Sequence, residues 1–179
     1  MLIRLAVCGA MAAVRLVELA YSRRNIRSAA TSREGAWSRR TYPLIIAIHG
    51  IVIAGTLLRG REKPKWPWLL LLAAAQPVRA WVLFSLGPRW NARAAVASDM
   101  AIETGGPYRY LRHPNYAVVA VELFALPMAF GLERLATLAS FANGLLLAVR
   151  IRDEERLLRQ LPGYEEHFRD KARFVPGLF

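Results

Sequence analysis

Residues 116–149 read YAVVAVELFALPMAF-GLER-LATLASFANGLLLAV, two apolar runs parted only by Gly131-Leu132-Glu133-Arg134. So short a connection between two long apolar segments forces an antiparallel helical hairpin. Its two open ends then lie side by side, so the residues leading into Tyr116 and those from Arg150 onward must meet on one face. Working outward, three more apolar blocks occupy 2–20, 43–58 and 66–86, beside those at 116–131 and 135–149. Several are shorter than the ~20 residues that cross a hydrocarbon core perpendicularly. Five such blocks in 179 residues leave no amphipathic helices to cover them. The expected fold is therefore all-α, an integral membrane protein with about five transmembrane helices, built as a single domain over 1–179.

Composition points the same way. Hydrophobic residues make up 55% of the chain, above the about 45–50% usual for globular proteins. A net charge of +12 admits a nucleic-acid reading, but the distribution of the charge argues against nucleic acid as a partner. Six arginines fall from Arg23 to Arg40, four more lie between the third and fourth blocks, and seven basic residues follow the fifth. With five spans these three segments share one face, and the positive-inside bias makes it the cytoplasmic one. The stretch Arg59 to Lys65, with four basic residues on the other face, opposes that orientation. The electrostatic partners expected for the basic face are anionic membrane lipids. Arginine outnumbers lysine 22 to 3, and alanine is abundant, a bias of GC-rich bacterial genomes. Cys8 is the only cysteine, so neither an internal disulfide nor a cysteine cluster for metal is possible. The first block runs on to Ala20 past Arg15 and Glu18 without a small-residue cleavage site, and reads as a first membrane helix.

The punctuation places the chemistry. Pro64 to Pro67 opens block three and Gly87-Pro88 closes it, while Arg23 to Arg40 reads as a polar connection. Gly105-Gly106 permits unusual backbone angles. Pro107 and Pro114 fix φ and hold the residues before them out of the helical region. Residues 105–116, GGPYRYLRHPNY, are thus loop-like and rigid, and they lie across the hairpin from Arg150-Ile151-Arg152-Asp153-Glu154-Glu155. No Gly-rich strand-to-helix turn is present, so a nucleotide-like cofactor would need a pocket made at helix ends instead. Tyr110 and Arg109 read equally well as interface anchors. His49 reads as a hydrogen-bonded core residue, and Gln76, Pro77 and Arg79 either split block three or form a polar wall.

These two motifs resemble the signature of the isoprenylcysteine carboxyl methyltransferase family, over roughly residues 87 to 176. Arg112-His113-Pro114-Asn115-Tyr116, with Glu122 and Pro127 behind it, is most similar to a bacterial branch acting on alkylresorcinols and alkylpyrones. The resemblance implies three N-terminal spans over 1–86 and a catalytic part over 87–179. It also implies S-adenosylmethionine as cofactor, a lipophilic small-molecule acceptor and no metal. Carried over, Ile102 and Glu103 flank the cofactor, Tyr108, Asn115 and Tyr116 contact it, and His113 with Pro114 line it. Glu154 matches the cofactor carboxylate, with Asp153 and Glu155 one position to either side, and Arg150 matches an arginine on the acceptor side. A phenol with a pKa near about 10 must lose a proton, and Glu122, inside a span, is the expected base, unless it is a structural partner of Arg79 or His49. The readings left open are a carboxylate acceptor, an NADPH-dependent double-bond reductase and a non-catalytic membrane scaffold.

Overall fold

A computed structural model of the chain describes residues 1–28, 32–97 and 100–174, so the last two residues of the 87–176 stretch lie outside it. Five long helices occupy the five apolar blocks: α1 (Leu2–Ser28), α2 (Ala36–Arg59), α3 (Trp66–Leu86), α4 (Pro114–Ala129) and α5 (Glu133–Leu158), followed by the short α6 (Tyr164–Phe168). The only described strands, β1 (Ser32–Glu34) and β2 (Ala95–Ala97), pair antiparallel with Arg33 opposite Val96. Helix ends follow local chemistry. Pro67 sits in the first turn of α3, Gly87 stops it at φ +50°, and Pro114 opens α4 where its missing N–H costs nothing.

The protein is an all-α membrane protein, and three helices are long and apolar enough to cross a bilayer on their own. They are α2, α3 with its 3-10 extension to Arg89, and α5, with mean hydropathies of 1.9, 1.7 and 1.3. Helix α4 has 16 residues, ~24 Å at 1.5 Å per residue, and starts from the loop. Helix α1 is 27 residues long and carries Arg15 and Glu18 in its middle. Both are ion-paired inside the bundle, which removes much of their cost in hydrocarbon. Apolar side chains such as Leu16, Ile51, Leu70, Leu138 and Phe141 point outward, and Phe84 is 85% exposed, a surface suited to lipid and not to water.

Helix α4 is the central element, touching α2, α3 and α5, with more than half of its residues buried. The main core gathers Cys8, Met11, Val52, Leu72, Leu123, Leu126 and Phe130 from α1 to α4 and its end. The other end of the bundle is polar. There β1 and β2 join the α1–α2 connection to the α3–α4 connection, and Asp153 joins α5 to the start of α2, so the three basic segments do share one face.

Two expectations need correction. The stretch 23–40 is mostly helix, because α1 runs to Ser28 and α2 starts at Ala36. Tertiary contacts hold these ends: Asn25 donates to the Trp90 carbonyl at 2.7 Å, and Ser22 Oγ accepts from the Ala92 amide at 2.9 Å. The apolar block of 135–149 likewise understates α5, which continues through Arg150 to Glu155 and ends at Leu158.

Candidate functional site

The loop before α4 is strapped down on both sides. Residues Gly106–Arg109 form a 3-10 turn in which Gly106 has φ +54°, and a Cβ there would collide with the Ser85 side chain of α3. The Glu103 carboxylate accepts from the Gly105 amide at 2.8 Å and pairs with Arg89. On the other side the Arg112 and His113 amides donate to the Ala172 and Arg173 carbonyls, each at 3.0 Å, and Arg112 Nε donates to the Lys171 carbonyl at 2.6 Å. The chain thus enters α4 with a fixed aim. The rings of His113 and Tyr116 stack with centroids 5.4 Å apart.

Three consecutive acids on α5 must point in three directions, about 100° apart at 3.6 residues per turn. Asp153 accepts from the Trp37 and Ser38 amides at 2.9 and 3.0 Å, capping the start of α2 from a different helix. Gly35 is required beside it, since a Cβ would run into the Asp153 carboxylate. Glu155 is buried and holds Arg173 through two 2.9 Å contacts and His113 Nε2 at 3.2 Å. Glu154 accepts from the Tyr116 hydroxyl, which in turn accepts from Arg150 Nε at 3.0 Å. Arg150 also donates to the Ala92 carbonyl.

A cleft lined by both polar and apolar side chains, roughly 750 Å³ with its open mouth included, lies between the loop, β2 and the end of α5. It brings together Ile102, Glu103, Tyr108, His113, Asn115, Tyr116 and Glu154. Pro114 and Glu155 do not line it: the proline starts α4, and Glu155 is engaged by His113 and Arg173. Trp90, Arg89, Tyr164 and Phe168 complete the wall, and no motif in the sequence singled them out. Tyr108 and Tyr164 keep their protons far above the ordinary tyrosine range. Burial is the main cause, followed for Tyr108 by the charges of Glu154 and Glu103, and for Tyr164 by those of Glu155 and Glu154. The hydroxyl of Tyr164 and the indole N–H of Trp90 are buried without a protein partner.

Behind the same wall lies a second, mostly apolar cavity of roughly 1140 Å³ between α1, α2, α4 and α5. Trp90, Asn115 and Tyr116 line both spaces. Arg150 faces this second cavity, as do Arg15, Glu18, Tyr42, His49 and Arg79. Arg79 grips Glu18 with two 2.7 Å contacts and donates to Asn115 Oδ1 at 2.9 Å, so it is a wall of the cavity and α3 is one continuous helix.

Glu122 differs from the free base expected of it. It is 2% exposed and lines neither space; one oxygen is taken by Arg15 and the other accepts from Gln76 Nε2 at 3.0 Å. Its partners are therefore not Arg79 or His49. Arg15 also holds Glu18 at 2.7 Å, giving a buried chain Gln76–Glu122–Arg15–Glu18–Arg79 in which two cations balance two anions.

Comparison with known proteins adds the lineage. Residues 68–160 match the description Isoprenylcysteine carboxyl methyltransferase (ICMT) family. The chain is also 35% identical over 155 residues to the uncharacterized protein YpbQ of Bacillus subtilis (strain 168), covering 82% of this chain and 90% of that protein.

Proposed function

The chain belongs to the isoprenylcysteine carboxyl methyltransferase family, and we propose that it methylates a hydroxyl of a lipophilic acceptor, an alkylresorcinol or alkylpyrone, using S-adenosylmethionine. Members of the family are S-adenosylmethionine-dependent methyltransferases. The observation that supports a lipophilic acceptor is the shared wall. A cleft holding Glu154 and a more strongly apolar cavity holding Arg150 meet at Trp90, Asn115 and Tyr116. A water-soluble donor and a lipid-like acceptor need such an arrangement, since each must come from its own phase and the two must touch at one point.

The residues of the cleft suit the cofactor. Its sulfonium and ammonium are cationic and want a carboxylate, which Glu154 supplies. When bound, the cofactor supplies an electrophilic methyl group. The chain's own residues align and exclude: Tyr116 fixes Glu154 and Arg150 relative to each other, and Arg150 stabilises negative charge on the acceptor oxygen. The basic segments favour a cytoplasmic orientation of this face in a bacterial membrane.

A carboxylate acceptor fits the family match at least as well, and Arg150 would serve it equally. The experiment is direct. Purified protein in detergent is given S-adenosylmethionine and either a 5-alkylresorcinol or a farnesylated cysteine, and the lipids are weighed by mass spectrometry. A gain of one methyl on the resorcinol supports the reading; methylation of the cysteine derivative alone replaces it with the carboxylate one.

A further inference from the structure

A mostly apolar groove of roughly 1380 Å³, its open side included, runs between α4 and α5. It is a separate space, sharing only Tyr116 with the cleft and only Tyr116 and Leu147 with the apolar cavity. Small side chains make room for it: Ala117 and Ala120 on α4, and Ser140, Gly144 and Ala148 on α5, the last three at intervals of four residues and so on one side of that helix. A Cβ at Gly144 would meet no atom within 4 Å, so the floor is open there. Phe141 and Leu145, the next residues along α5, are exposed, which sets the groove beside the lipid-facing surface. From Ser140 to Arg152 the helix rises ~18 Å at 1.5 Å per residue, close to the ~15 Å that one leaflet contributes to the hydrocarbon core. The end of the groove at the polar face of the bundle is basic, lined by Arg152 and Arg173. Arg173 is committed to Glu155 through two 2.9 Å contacts. Arg152 is exposed, and among the described residues its side chain has no ion pair or hydrogen bond.

We propose that this groove holds one acyl chain of an anionic phospholipid from the leaflet on the basic face, with the lipid phosphate on Arg152. A neutral chain would fill the groove and leave the guanidinium unpaired, and free phosphate would pair the guanidinium and leave the groove empty. An anionic lipid does both. A second copy of the chain fits less well. Copies in one membrane share their orientation, so one packed symmetrically on this groove would bring its own Arg152 to the same level as this one, like charge against like. The site is independent of the methyl-transfer reading, because it concerns lipid binding on the outer side of the hairpin.

The test titrates the full chain in detergent with dioleoyl phosphatidylglycerol, dioleoyl phosphatidylcholine or inorganic phosphate, and counts bound lipid by native mass spectrometry. The anionic lipid should bind roughly tenfold more tightly than the zwitterionic one, the scale of a hydrogen bond to a charged group, and phosphate alone should not displace it. Arg152→Gln should bring phosphatidylglycerol down to the level of phosphatidylcholine and leave the latter unchanged. Gly144→Phe, whose ring enters the open floor, should weaken both lipids. Arg156→Gln removes an exposed arginine of the same helix that does not line the groove. It should leave the preference intact, which separates this site from a general attraction to the basic face. Equal binding of the two lipids, a preference untouched in Arg152→Gln, an equal loss in Arg156→Gln, unchanged lipid binding in Gly144→Phe, or displacement of the lipid by phosphate would each overturn the proposal. A lipid-free dimer that Gly144→Phe dissociates would also overturn it and give the groove to a second copy. The wild-type comparison stands even if a variant does not fold.

Discussion

Arg150 donates from Nε to the Tyr116 hydroxyl at 3.0 Å, and that hydroxyl in turn donates to Glu154. One phenolic oxygen thus fixes the cation of the apolar cavity and the carboxylate of the neighbouring cleft relative to each other. The Arg150 guanidinium also lies 5.7 Å from the centre of the Tyr116 ring.

Removing that oxygen should uncouple the two groups without emptying either space. Tyr116→Phe keeps the ring that stacks on His113, so folding should be preserved. Turnover should fall roughly 10²-fold, as expected when reacting groups lose their alignment. Single-turnover methyl transfer by the purified variant measures this; wild-type rates would show that the oxygen has no role in alignment.

Glu154 and Glu155 should separate cleanly. Glu154→Gln should weaken S-adenosylmethionine binding at least tenfold with little change in thermal stability, since Gln can still accept the Tyr116 hydrogen bond that Glu154 takes. Glu155→Gln loses ionic hydrogen bonds to Arg173 and His113 and should cost roughly 1.5–3 kcal/mol of stability. Calorimetry beside thermal unfolding in detergent distinguishes the two; the reverse pattern would move the cofactor carboxylate by one residue.

Asp153 should behave as a cap alone. Asp153→Ala leaves the Trp37 and Ser38 amides without their acceptor and should cost about 0.5–2 kcal/mol. Cofactor affinity should not change. A loss of affinity without destabilisation would return Asp153 to the cofactor side.

Glu122→Gln discriminates a structural acid from a base. Loss of the charge leaves Arg15 sharing Glu18 with Arg79, and breaking a buried pair costs about 3–5 kcal/mol. The protein should therefore unfold at lower temperature while the pH dependence of turnover keeps its shape. A titrating limb that vanishes in the variant, with stability unaltered, would restore Glu122 as the proton acceptor.

Much of this was legible in the chain itself. Apolar runs broken by Gly131, by Pro64 to Pro67 and by Gly87-Pro88 set five helices, because backbone groups in hydrocarbon can be satisfied only within a helix and those residues end one. The four-residue turn brought residues 105–116 and 150–155 to one face, because a hairpin has no other way to close. Local sequence could not say which of Asp153, Glu154 and Glu155 faces the cleft, since a helix places each by its rotation about the axis. That rotation is set by α2 and the C-terminal segment, which claim Asp153 and Glu155 and leave Glu154 to Tyr116. Likewise Glu122 and Arg15 are 107 residues apart and Arg79 and Glu18 are 61 apart. Each charge looks costly alone, and only the packing of α1 against α3 and α4 decides which neutralises which. Hydropathy determined where the chain crosses the membrane, and the tertiary structure determined how its charges could stay there.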